Sequence, residues 1–135
     1  MLRAWLQVTP TRPSASWPRA LNDPVATAVL NALHADPSRA WTLNSLADHV
    51  AVSRATLARR FPALVGETQA AYLTRWRMDL AARRLRDTDD PIEVIARAVG
   101  YTSEYAFSRA FSRDRALPPG RYRVQSRARH IADGG

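Results

Sequence analysis

Apolar residues recur along this chain three and four positions apart, and nowhere do they alternate with polar ones over the length of a strand. Val25, Val29 and Leu33 stand four apart, with Leu30 beside them. Asn22 or Asp23 can cap the helix they predict, and Pro24 suits its first turn. Asp36-Pro37-Ser38 should end it. Thr42 then caps a short helix with an apolar face of Leu43, Leu46, Ala47 and Val50. Ala51-Val52 make a turn, and Ser53 caps a helix that carries Leu57 and Phe61 one turn apart. Pro62 stands where that helix should be finishing, and Gly66 offers a left-handed stop. A longer helix is expected from about Thr68 to Asp87, with a buried stripe of Tyr72, Leu73, Trp76, Leu80, Ala81 and Leu85. Arg75, Arg83 and Arg86 lie mostly elsewhere on it. Thr88-Asp89-Asp90 opens a second pair of short helices. Residues 9–18 hold three prolines and read as a linker. Ahead of it, Leu2, Trp5 and Leu6 keep helical spacing on a very short segment. From about Val124 the tail is polar and Arg-containing, and is expected to fray. The predicted class is all-α, with about seven helices.

The pattern repeats after 49–50 residues. Leu46-Ala47 matches Ile95-Ala96, and Val50 matches Val99. One inserted residue later, Ser53 matches Ser103, Leu57 matches Phe107, Arg59 matches Arg109 and Phe61 matches Phe111. Each copy reads as helix, tight turn, serine cap, helix, which is the order of a helix-turn-helix. Its first helix must bury one face, supplied by Leu43, Leu46, Ala47 and Val50, or by Ile92, Ile95, Ala96 and Val99. Its turn must be tight, and Gly100 suits a left-handed backbone there. Its second helix is anchored by Leu57 and Phe61, or by Phe107, Ala110 and Phe111. The opposite face is then free to enter a major groove. That face carries Ala55, Thr56 and Arg59 in the first copy, and Glu104, Tyr105, Ser108 and Arg109 in the second. Arginine can donate twice to guanine, glutamate can accept from cytosine, and small methyl-bearing side chains can touch thymine. The division expected is an N-terminal segment and linker (1–22), a first helix-turn-helix subdomain (23–66), a linker helix (67–88), a second helix-turn-helix subdomain (89–123) and a flexible tail (124–135).

Charge points the same way. Of 135 residues, all 20 basic ones are Arg; 12 acids leave a formal charge of +8. Such an excess favours a polyanionic partner. A coding bias explains the preference for Arg over Lys, but not the excess over Asp and Glu. There is no Cys, which excludes disulfides, thiolate metal sites and cysteine catalysis. No apolar run reaches the roughly 18 residues of a membrane span, and the first residues lack the features of a secretory signal. No membrane association is therefore expected, and a cytoplasmic location fits. His34, His49 and His130 share no helical face, so no metal site is expected. Asp89, Asp90 and Glu93 gather at a helix start, where they favour the helix dipole. Neither a phosphate-binding glycine loop nor a nucleophile–base pair is present. No enzymatic activity and no cofactor are expected.

Taken together, WTLNSLADHVAVSRATLARRF, AYLTRWRMDLAARRLRD and PIEVIARAVGYTSEYAFSRAFSRDRALPPGRYR resemble the DNA-binding domain of the AraC/XylS family of transcription regulators. The resemblance covers about residues 23–123, and IARAVGY through FSRAF to PPGRYR is its most specific part. It implies two helix-turn-helix subdomains bridged by one long helix, with both recognition helices in successive major grooves of promoter DNA. By position it implies base contacts from Ala55, Thr56, Arg59, Glu104, Tyr105, Ser108 and Arg109. It implies phosphate contacts from Ser53, Arg54, Arg60, Ser103, Arg113 and Arg123. It also implies RNA polymerase as a second partner, and either a preceding cupin-type sensing domain as the source of dimerisation, with this chain a fragment of a larger regulator, or a short stand-alone regulator. This stretch alone is then expected to be a monomer. Ala51 and Ala116 stand where the family often has Gly. A positive φ there would strain alanine by about 1 kcal/mol. Two other readings of the residues stay open. One is a helical module that partners a full-length regulator or polymerase and binds DNA weakly; the other is a general coater of nucleic acid.

Overall fold

The computed structural model describes residues 22–134. The linker expected at 9–18 and the spacing of Leu2, Trp5 and Leu6 lie outside them. The described residues form seven helices and no strand: α1 (Pro24–Ala35), α2 (Leu43–His49), α3 (Arg54–Val65), α4 (Gln69–Asp87), α5 (Ile92–Ala98), α6 (Glu104–Arg115) and α7 (Pro119–Gly134). They make two compact units. One comprises residues up to 36 together with 41–73; the other comprises 37–40 and everything from 74 onward. The boundary falls inside α4, after its fifth residue.

In the first unit α1 starts at Asp23, whose carboxylate accepts from the amides of Val25 (2.8 Å) and Ala26 (3.4 Å). Pro24 fills the first helical position, where no amide is needed. The buried face of α1 is Ala26, Val29, Leu30, Ala32 and Leu33, and the helix packs on α3. Helix α2 opens with a reciprocal cap: Thr42 Oγ1 accepts from the Ser45 amide, and Ser45 Oγ accepts from the Thr42 amide. Its buried residues, Leu46 and Ala47, face the same core as Leu57, Phe61 and Val65 of α3. Helix α3 does not finish at Pro62. It continues to Val65 and ends at Gly66, whose φ is 96°. The amide that Pro62 lacks would have bonded Ala58, which lies on the exposed side of the helix where water can serve its carbonyl.

His34 and Tyr72 close the first core from one side, with 2.6 Å between His34 Nε2 and Tyr72 Oη. The Tyr72 ring also meets Phe61 edge-on at 6.4 Å. Burial pushes the His34 imidazole down to about 4, from 6.5 in the open chain. Between those values the unfolded chain takes up a proton that the folded chain refuses. Stability is therefore complete above about pH 6.5 and falls as pH drops toward 4. The loss is expected to approach about 2–3 kcal/mol. Urea midpoints at pH 7 and pH 4.5 measure it, and His34→Gln should remove most of the difference between them. An unchanged difference in that variant would place the titration elsewhere.

The second unit is built around Met78, Ala81, Ala82 and Leu85 of α4, Ile95 and Ala96 of α5 with Val99 following, and Phe107, Ala110 and Phe111 of α6. Leu80, expected in the buried stripe, is only partly buried, while Met78 is fully buried in its place. Phe107 touches Tyr101 and Phe111, each with ring centroids 5.7 Å apart. Tyr122 meets Phe111 edge-on at 5.1 Å. Arg115 bridges Asp79 and Asp114.

The two turns are matched bond for bond. Val50 N bonds Leu46 O and Val52 N bonds Ala47 O; Val99 N bonds Ile95 O and Tyr101 N bonds Ala96 O. Both turns need a left-handed residue, and Ala51 (φ 62°) and Gly100 (φ 102°) supply it. At Gly100 a Cβ would also lie 2.9 Å from the Arg77 guanidinium, which would have to shift to admit it. That guanidinium is itself held by the carbonyls of Pro37 (2.8 Å) and Arg39 (2.9 Å). Ala51 is exposed and strained by its φ, as is Ala116 (φ 66°), which ends α6. Ala51→Gly is expected to raise stability by about 0.5–1 kcal/mol. Thermal unfolding reads this as a gain of a few degrees; a lower midpoint would mean that the turn tolerates alanine without strain.

The tail is helical where fraying was expected. Helix α7 runs through Val124 to Gly134. Its inner side is tied down by Arg127, which bonds Thr88 O (2.5 Å), Arg86 O (3.3 Å) and the Asp89 carboxylate (2.8 Å). Polar composition gave no sign of this, because the partners lie about 40 residues earlier in the chain.

Candidate nucleic-acid interface

Each unit presents the second helix of its helix-turn-helix in the same manner. In the first, Ser53 Oγ accepts from the Thr56 amide at 3.0 Å, which sets the start of α3. Leu57, Phe61 and Val65 are buried, and the remaining side of the helix is open. Arg54, Ala55, Ala58 and Arg59 are exposed along it. The side chains of Arg54 and Arg59 have no ion-pair or hydrogen-bond partner among the described residues. Thr56 is half-buried, and its hydroxyl accepts from Ser53 Oγ at 2.8 Å. In the second unit, Ser103 Oγ accepts from the Ala106 amide at 3.0 Å. Phe107, Ala110 and Phe111 are buried. Glu104, Tyr105, Arg109 and Arg113 are exposed, with Ser108 half-buried between them.

Two of the residues expected to meet phosphate also bond groups of the protein itself. Arg60 bonds the Asp23 carboxylate at 2.5 Å. Burial pushes that carboxyl up, but the hydrogen bonds from Arg60 and from the amides of Val25 and Ala26 outweigh it, so Asp23 stays ionised to lower pH than usual. One acid thus caps α1 and pins α3. Arg123 donates to the carbonyls of Leu85 (3.0 Å), Thr88 (3.0 Å) and Asp90 (2.8 Å). A cation at the carboxyl end of α4 meets carbonyls that have no partner in the helix, and it also opposes the negative end of the helix dipole. These bonds could not be read from sequence, because each partner is more than 30 residues away.

The other difference is a contact that reading residues singly misses. The Arg109 guanidinium lies 5.7 Å from the centroid of the Tyr105 ring, and its Nη1 is 3.5 Å from the Tyr105 hydroxyl. The signal was present as a four-residue spacing on one helix. At the matched position of α3, Ala55 offers Arg59 no such surface.

Elsewhere the described residues hold no group of three or more His, Cys, Asp or Glu side chains placed to bind a metal. His34 and His49 are set apart, on Tyr72 and on Trp41 respectively. His130 lies in α7. Trp76 is buried, as its spacing predicted. No helix among the described residues is long and apolar enough to cross a membrane.

Two helix-turn-helix units on a shared long helix, each with an exposed and partly basic second helix, define a helical module of the DNA-binding type. Comparison with known proteins places it further. A family model described as a helix-turn-helix domain matches residues 46–125. A putative AraC-like transcription regulator of Streptomyces lividans is 50% identical over 123 residues, which are 91% of this chain and 40% of that protein. The transcriptional regulator AlkR of Acinetobacter baylyi is 44% identical over 111 residues, covering 82% of this chain and 36% of its own. Among solved structures, the DNA-binding domain of AdpA in complex with a target DNA superposes with a TM-score of 0.74 at 31% identity, covering 82% of this chain and 98% of that one. The chain belongs to the AraC-type helix-turn-helix family, which comprises DNA-binding domains of transcription regulators and not enzymes. It spans about 40% of the length of the Streptomyces relative it matches.

Proposed function

We propose that this chain is the DNA-reading part of a transcription regulator, with α3 and α6 each laid in a major groove of promoter DNA. The observation that carries this reading is the matched exposure of two recognition helices. Each is anchored on one side by three buried apolar residues, and each shows an arginine, Arg59 or Arg109, at the same position of its open side. The AdpA domain, which shares the fold, was solved on its target DNA. Arg59 and Arg109 are the guanine readers, and Glu104 accepts from cytosine. Ala55 and Thr56 make methyl contacts, and Ser108 borders the second reading face. Ser53, Arg54, Ser103 and Arg113 meet phosphate, where serine-capped helix starts also favour an anion.

Selection from a random oligonucleotide pool tests the reading directly. An enriched site with two half-elements about one helical turn apart is the expected result. Arg109→Ala should then lower affinity for that site by about 1–3 kcal/mol and relax the preference at one base pair. Uniform weakening on all sequences would make Arg109 a phosphate contact. A pool without any enriched site would overturn the sequence-specific reading.

A further inference from the structure

Tyr105 is 70% exposed, on the face of α6 that the proposed function gives to DNA. A tyrosine left in water needs a reason, and the structure places one beside it. Arg109, one turn later, lays its guanidinium over the ring at 5.7 Å and brings Nη1 to 3.5 Å from the hydroxyl. Arginine is a long side chain with many rotamers, and a base contact requires it to adopt one of them. A neighbouring ring that already holds the guanidinium removes part of that ordering cost before DNA arrives. The repeat supplies an internal control. Arg59 occupies the matched position of α3, but the residue one turn before it is Ala55, which has no ring. The two arginines therefore share a place in the fold and differ in whether a ring stands one turn before them.

We infer that Tyr105 is a positioning residue for Arg109: it pre-orients the guanidinium for guanine and does not itself read a base. The inference rests on the proposed reading of DNA by α6, and it makes the second unit the stricter of the two readers. A glutamate can stand at Glu104 without capturing Arg109. The two are five residues apart, off the one-turn spacing.

The test has one arm without DNA and one with it, both on the full chain. In the free protein, the Nε–H resonance of Arg109 should carry a ring-current shift. That shift should vanish in Tyr105→Ala and be retained in large part in Tyr105→Phe; Arg59 should show no such shift. An Arg109 resonance indifferent to Tyr105→Ala would overturn the inference whatever the DNA result. On the selected site, Tyr105→Ala should weaken binding about two- to tenfold. It should flatten preference at the same base pair as Arg109→Ala, and should add less than twofold in the Arg109→Ala background. Tyr105→Phe should keep most of the preference. If Tyr105→Ala and Arg109→Ala flatten different base pairs and their effects multiply, Tyr105 is a base reader and the inference fails. Since the resonance arm needs no DNA, failure of the Tyr105–Arg109 pair is distinguished from failure of the DNA-binding reading. Ala55→Tyr completes the design: it should sharpen the choice made by Arg59, and no gain there would show that a ring one turn earlier is not what orders the reader.

Discussion

Replacing Phe107 by alanine is expected to destabilise the second unit by about 3–5 kcal/mol. Its ring is fully buried. It stands between Tyr101 and Phe111, within 6 Å of each by ring centroid, so truncation loses both the transferred area and two ring contacts. The surrounding residues come from α4, α5 and α6, and the rigid helix backbones cannot close over the vacancy. Such a loss is a large share of the roughly 5–15 kcal/mol that holds an ordinary domain folded. Phe107→Leu is the informative partner, because leucine occupies the matched position, Leu57, in the first unit. That variant should lose about 1 kcal/mol, since it keeps most of the volume. Urea denaturation followed by circular dichroism measures both. A loss below about 1.5 kcal/mol for the alanine variant would show that the pocket collapses and that α6 is anchored by other residues. Affinity for DNA should fall with the folded fraction and recover when ligand is raised.

Arg123→Ala is expected to cost about 2–3 kcal/mol, because it leaves the carbonyls of Leu85 and Asp90 without their charged donor, while Thr88 O keeps only Arg127. Arg123→Lys should recover less than half of that. An ammonium on a single stem cannot span the carbonyls that a planar guanidinium bridges. The salt dependence of DNA binding separates this role from the one the family resemblance implies. Loss of a phosphate contact lowers the slope of affinity against salt by about one and leaves the unfolding midpoint in place. Loss of an internal clamp lowers the midpoint and leaves the slope alone. Arg54→Ala and Arg113→Ala, both at exposed positions, should behave in the first way.

The contrast between those arginines marks what could be read from the chain alone. Helix positions followed from local chemistry. Asp23, Thr42, Ser53 and Ser103 cap the helices they precede, and Gly66 and Gly100 take positive φ where a stop or a turn requires it. The buried anchors Leu57, Phe61, Phe107 and Phe111 followed from spacing, because a helix with one wet face must bury the other. Strain at Ala51 and Ala116 was legible too, since the repeat and the family resemblance mark both as places for glycine. Of the misjudged features, only the helical tail is explained by partners distant in sequence. Pro62 lies within α3, Met78 takes the place expected for Leu80, and α7 continues past Val124.

By itself the sequence determined an all-helical chain, its internal repeat and the pair of exposed arginines, Arg59 and Arg109, because capping, turn geometry and helical periodicity act within a few residues. Tertiary structure decided which arginines find partners within the protein. Arg60, Arg77, Arg123 and Arg127 have the same composition signal as Arg54, Arg59 and Arg109, yet they hold Asp23 and backbone carbonyls distant in sequence. A guanidinium's partners depend on which groups folding brings within about 3 Å of it, and that distance is not encoded in any local pattern.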